Sequence, residues 1–95
     1  MTRQRFSVDG YWDVQVFYNV AMPGMNKGFT HTDMKRKRSI VAIGMATSRE
    51  QFLNTVVHEA KHVQSAICEH YWVPEDSEGA AYLIGYLVMR MSRCF

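Results

Sequence analysis

The chain has 95 residues, 47% of them hydrophobic and 21% charged, which suits one folded domain and excludes the apolar-poor, highly charged make-up of a disordered chain. Eleven lysines and arginines against nine acidic residues leave a formal charge of +2, too small to demand a polyanion partner. The longest apolar run, residues 80–89, is much too short to span a bilayer.

The opening residues, MTRQRFSVDGYW, carry Arg3 and Arg5 but no apolar segment or cleavage site, so no secretory signal is expected. Cys68 and Cys94 form no disulfide-framework spacing, and a cytoplasmic setting follows as the expectation. Residues 12–20, WDVQVFYNV, read as a strand, with Val14, Val16, Tyr18 and Val20 alternating with polar positions and Phe17 as the exception. Residues 21–38 read as a long loop, Gly-rich with one proline, that ends in the basic run Lys35, Arg36, Lys37 and Arg38. A second strand is expected over residues 39–45, paired with the first as an antiparallel hairpin across that loop.

Thr47 and Ser48 offer capping hydroxyls, with Glu50 and Gln51 three positions on, so a capping box opens a helix whichever residue is the cap. At about 100° per residue, Phe52, Leu53, Val56, Ala60, Val63 and Ile67 gather on one stripe that should pack on the sheet. The helix should fade near residues 70–72, before Pro74. Asp76 or Ser77 then caps a second helix, acidic in its first turn and basic in its last. Its middle, AAYLIGYLVM, is apolar nearly all round and should be sandwiched between the first helix and other elements. The expected architecture is a single α+β domain, a small antiparallel sheet on two antiparallel helices.

The first helix contains His58-Glu59-Ala60-Lys61-His62, and the i, i+4 spacing stacks the two imidazoles one turn apart on one face, where a single metal reaches both. Zinc takes histidine nitrogen in a tetrahedral shell, and catalytic sites leave one position to water. Glu59 flanks the same face, between the histidine stripe and the apolar stripe, placed to receive a proton from that water. In a domain this small, such a metal would also contribute to folding. A site using Cys68 is disfavoured, since Cys68 turns about 100° away from the histidines.

This arrangement resembles the HExxH zincin metallopeptidases, in particular the gluzincin branch and its smallest members. There a glutamate on the next helix, often opening a Glu-x-x-Ala pattern, is the third ligand. Glu78-Gly79-Ala80-Ala81 fits that pattern, so the resemblance implies Glu78 as a zinc ligand beside His58 and His62. The residues alone leave Glu75, Asp76, Glu69 or no carboxylate open as alternatives. Assigning Glu78 requires the first helix to end early, kink or be crossed steeply, because a straight helix to His70 puts the start of its successor about 12 Å along the axis from His62.

The implied activity is hydrolysis of peptide bonds, with Tyr82, Tyr86 or His31 available to help stabilise the oxyanion. The strand over residues 39–45 would serve as the edge along which an extended peptide lies. Residues 93–95 could cover the metal in a latent form. Two other readings stand beside it: a non-catalytic zinc-stabilised binding module, and nucleic-acid contact through the basic run with Phe29 stacking on a base. For that run a solvated loop is the favoured reading.

Overall fold

A computed structural model describes residues 2–94. Four strands precede two helices: β1 (Thr2–Val8), β2 (Trp12–Val20), β3 (Gly28–Asp33), β4 (Arg38–Gly44), α1 (Arg49–Tyr71) and α2 (Glu78–Met91). The strands form one mixed sheet in the order β1-β2-β4-β3. The class is α+β, as the sequence suggests, but the sheet is larger than its two legible strands and is paired differently.

β1 lies in a mostly polar segment with no clear strand pattern, and it pairs antiparallel with β2. Asp9 and Gly10 both take positive φ, 50° and 78°, the geometry that tight hairpin turns require and that an Asp-Gly pair supplies. β3 lies inside the expected long loop and pairs antiparallel with β4 across a turn at residues 34–37, where Asp33 Oδ1 accepts the Arg36 amide at 3.1 Å. Because β3 reverses the chain once more, β4 returns parallel to β2. The expected antiparallel hairpin is therefore replaced by a parallel pair at the centre of the sheet, and β4 is not an edge. The edges are β1 and β3. Residues 21–27 carry the chain past the end of β4 and are held there by the Gly44 amide, which donates to the Lys27 carbonyl at 2.8 Å.

Side chains alternate across the sheet. One face presents Phe6, Val8, Trp12, Val14, Val16, Tyr18, Val41 and Ile43, all buried. Against it pack Phe52, Val56, Ala60, Val63 and Ile67 of α1, with Leu87 and Met91 of α2, so the expected helical stripe is the one buried, with Leu53 at its margin. Phe52 contacts Tyr18 and His70 contacts Trp12, with ring centroids 6.2 and 5.5 Å apart, so α1 runs antiparallel along β2. Ser48 is the N-cap, accepting the Gln51 amide at 3.2 Å, while Gln51 Oε1 accepts the Thr47 amide and hydroxyl. α1 continues unbroken to Tyr71, and Trp72, at φ 59°, ends it.

α2 is capped by Ser77 and lies toward the β1 edge: the Tyr86 hydroxyl donates to the Ser7 carbonyl at 3.4 Å and Phe6 meets the Tyr86 ring edge-on. It is not sandwiched. Only Ala80, Leu87 and Met91 are buried, and Tyr82 and Met89 stand in solvent. Neither helix is long and apolar enough to cross a membrane.

Two polar anchors interrupt the apolar pattern. Trp12 Nε1 donates to the fully buried Ser39 hydroxyl at 3.1 Å, and that oxygen also bonds Thr32 Oγ1 at 2.9 Å, linking β2, β4 and β3. On the opposite face Asp13 accepts from Arg5 Nε and Arg38 Nε, each at 3.0 Å, linking β1, β2 and β4. Burial pushes the Asp13 carboxyl up, but hydrogen bonds from Arg5, Gln15 and Arg38 and the Arg5 charge outweigh it, so the net shift is below the ordinary aspartate value.

Ser39→Ala strands the Trp12 donor in the core and should lower unfolding free energy by about 1–3 kcal/mol, read by urea titration. The Asp13 contribution is fully present above the unfolded carboxyl value of about 3.9 and is lost as pH falls through the lower folded value. The stability gap between wild type and Asp13→Asn should therefore be largest at neutral pH and close in acid, measured by urea titrations across pH.

Candidate active site

His58, Glu59 and His62 occupy the middle of α1, on the flank that faces β3. The two imidazoles stack as the spacing demands, with centroids 5.1 Å apart and planes at 71°. Both are exposed, and among the described residues neither ring makes a hydrogen bond.

Glu59 is different: its residue is only 4% exposed. It sits one residue round from His58, at the border of the apolar stripe, where a carboxylate needs a donor. Thr30 of β3 provides it, its hydroxyl donating to Oε1 at 2.7 Å. Oε2 lies 4.0 Å from His58 Nε2. The backbone of β3 comes so close that a Cβ on Gly28 would fall 2.9 Å from Glu59 Oε2 and 3.0 Å from the Ala42 carbonyl, so the strand approaches the carboxylate through the one residue without a side chain. In front of this pair lies a cleft of about 270 Å³, bounded by residues 25–28 of the crossing loop and by Asn54, Thr55, His58 and Glu59 of α1. That volume is at the small end of ligand sites and admits a side chain or two.

The other expected site residues are elsewhere. Gln64 Nε2 donates to the Ala80 carbonyl at 2.8 Å, and Lys61 bonds Glu75 at 3.0 Å, which holds the Glu75 carboxyl below its ordinary value. The start of α2 is therefore docked on the Lys61 and Gln64 flank of α1. At about 100° per residue that flank is turned some 160° from His62 at Gln64. Glu78, at the first turn of α2, faces that flank's side of the molecule and does not join the imidazoles. The early ending that would bring Glu78 toward His62 is not present, since α1 is continuous to Tyr71.

Among the alternatives, Glu75 is taken by Lys61, Asp76 precedes α2 on the same side, and Glu69 shares the histidine stripe but lies about 10 Å further along it than His62. Among the described residues no group of three histidine, cysteine, aspartate or glutamate side chains is placed to hold a metal.

Tyr82 and Tyr86 border a depression with Val8, Asp9 and Tyr11, toward the β1 edge and three strand spacings, about 14 Å, from the β3 edge that carries Thr30. Neither is a donor to the Glu59 cleft. His31 alternates to the outer face of the sheet, away from Thr30. Cys94 meets Gln4 of β1, so the end of the chain does not cover His58 as far as it is described; Phe95 lies outside the described residues.

Thr30 and Gly28 are the residues that sequence reasoning missed. Their strand does alternate, but its inner positions are Gly28, Thr30 and Thr32 rather than apolar residues, so the pattern carried no hydrophobic signal. Comparison with models of known protein families, with curated proteins and with solved structures finds no match to this chain.

Thr30→Val keeps the shape of the side chain but removes the donor, and should cost about 1–3 kcal/mol in a urea titration by leaving a buried carboxylate unpaired. Gly28→Ala should cost a similar amount by overpacking the strand against α1.

Proposed function

We propose that the chain is a zinc-dependent peptide hydrolase in which His58 and His62 hold the metal and Glu59 is the general base. The observation that carries this reading is a carboxylate buried to 4% exposure and aimed, with its one hydroxyl partner, into a cleft beside two adjacent exposed imidazoles. A structural salt bridge or a solvated helix face calls for none of this. The donor set suits zinc in type and spacing but is incomplete, with two imidazoles and no third protein ligand among the described residues.

Zinc, when bound, supplies a Lewis acid and lowers the pKa of coordinated water. The remaining chemistry belongs to the chain. Thr30 fixes Glu59 Oε1, which leaves Oε2, on the His58 side, to accept a proton from a water in the cleft. The carboxylate is already oriented, so little reorganisation precedes the transfer. β3 is an open sheet edge next to this carboxylate, and its unpaired backbone groups suit an extended peptide laid along it.

The small volume of the cleft, about 270 Å³, favours a second reading, a zinc-binding module without catalysis.

Metal analysis after zinc loading should give one zinc per chain, lost in His58→Ala and in His62→Ala. Glu59→Gln should retain zinc while cleavage of a quenched-fluorescent peptide library falls by at least about 100-fold. Zinc retained without cleavage in wild type selects the binding module, and no stoichiometric zinc overturns both readings.

A further inference from the structure

Both helices cover one face of the sheet, and the other face is open. Its rows follow from the strand registers. Arg3, Phe17, Ala42 and Phe29 form one row across β1, β2, β4 and β3; Arg5, Gln15, Ile40 and His31 form the next; Ser7, Asp13, Arg38 and Asp33 form the third. Beyond the third row lies the turn with Lys35, Arg36 and Lys37, all exposed. None of the outer-face residues is buried, and Phe29 is 54% exposed.

Charge is divided between the two layers. Residues 1–47, which build the sheet, hold seven lysines and arginines against three aspartates; residues 48–95, which build the helices, hold four against six acidic residues. The small net charge of the chain conceals a basic sheet and an acidic helical layer. On the sheet, Arg5 and Arg38 are engaged by Asp13 and Arg36 by Asp33, while Arg3, Lys35 and Lys37 have no acidic partner among the described residues.

We infer that this open sheet face binds single-stranded nucleic acid, with Phe17 and Phe29 as stacking platforms and Arg3 and the 35–37 turn as phosphate contacts. Aromatic rings on an open sheet accept bases of any sequence through their π-faces. The two rings flank the small Ala42 in a single row, two strand spacings or about 9.5 Å apart, with Phe29 exposed and Phe17 half-buried. A duplex hides its base faces and could use only the charges, and an acidic peptide offers charge but no aromatic base to stack on the rings. The inference is independent of the metal reading: Phe29 and His31 point to the outer face of β3, whereas Gly28 and Thr30 point to the cleft.

Fluorescence anisotropy with a labelled mixed-sequence 12-nucleotide DNA strand at about 50 mM salt tests it. Binding is expected at about 1–100 μM, weakening with salt. Phe29→Ala, at an exposed position that leaves the fold intact by circular dichroism, should weaken binding about tenfold, and Phe29→Trp should restore it. Lys35→Glu with Lys37→Glu should lower the slope of log affinity against log salt by about 1.4. The inference is overturned by no binding, by equal affinity for the matching duplex or for polyglutamate, or by Phe29→Ala binding like wild type.

Discussion

A carboxylate cannot be placed on the packed side of a helix without a donor, and the bond from Thr30 to Glu59 meets that requirement. It brings the edge strand β3 against the middle of α1 and sets the depth of the cleft. The same approach demands glycine at position 28, where any side chain would meet the carboxylate or the neighbouring strand. Glu59 is thus both the chemical group of the candidate site and the point at which the two layers of the protein are joined on that side.

β3 serves two surfaces because successive side chains of a strand point to opposite faces. Gly28 and Thr30 belong to the cleft, Phe29 and His31 to the open sheet. Charge is divided between the layers as well: the helices shelter the apolar face and their half of the chain holds six of the nine acidic residues, while the sheet half holds seven of the eleven lysines and arginines. Asp13 organises part of that basic face, tying Arg5 and Arg38 across three strands without neutralising Arg3 or the 35–37 turn.

α2 shows how an apolar helix can be read too generously. Its middle suggests burial on every side, yet it buries only Ala80, Leu87 and Met91, the last two in the core shared by α1 and the sheet, and leaves Tyr82 and Met89 in solvent. Its docking on the Lys61 and Gln64 flank of α1 carries Glu78 and Tyr82 away from the imidazoles. Local pattern identifies the helix but not the side of its neighbour on which it lies.

Helical periodicity by itself determined α1, its buried stripe and the adjacency of His58, Glu59 and His62, because a 3.6-residue repeat fixes which side chains share a face; the choice of Ser48 over Thr47 as the cap came from the structure. Periodicity also placed Glu59 at the border of the apolar stripe. The β1–β2 hairpin was not foreseen, because the segment before Asp9-Gly10 is mostly polar and carries little hydrophobic signal. Only the tertiary structure decided the rest. β3 has no apolar inner face to announce it, so its position at the edge, the parallel pairing of β2 with β4 and the partnership of Thr30 with Glu59 depend on contacts between residues far apart in the chain. The place of Glu78 likewise rests on long-range packing, the docking of α2 against one flank of α1, which no spacing along the sequence encodes.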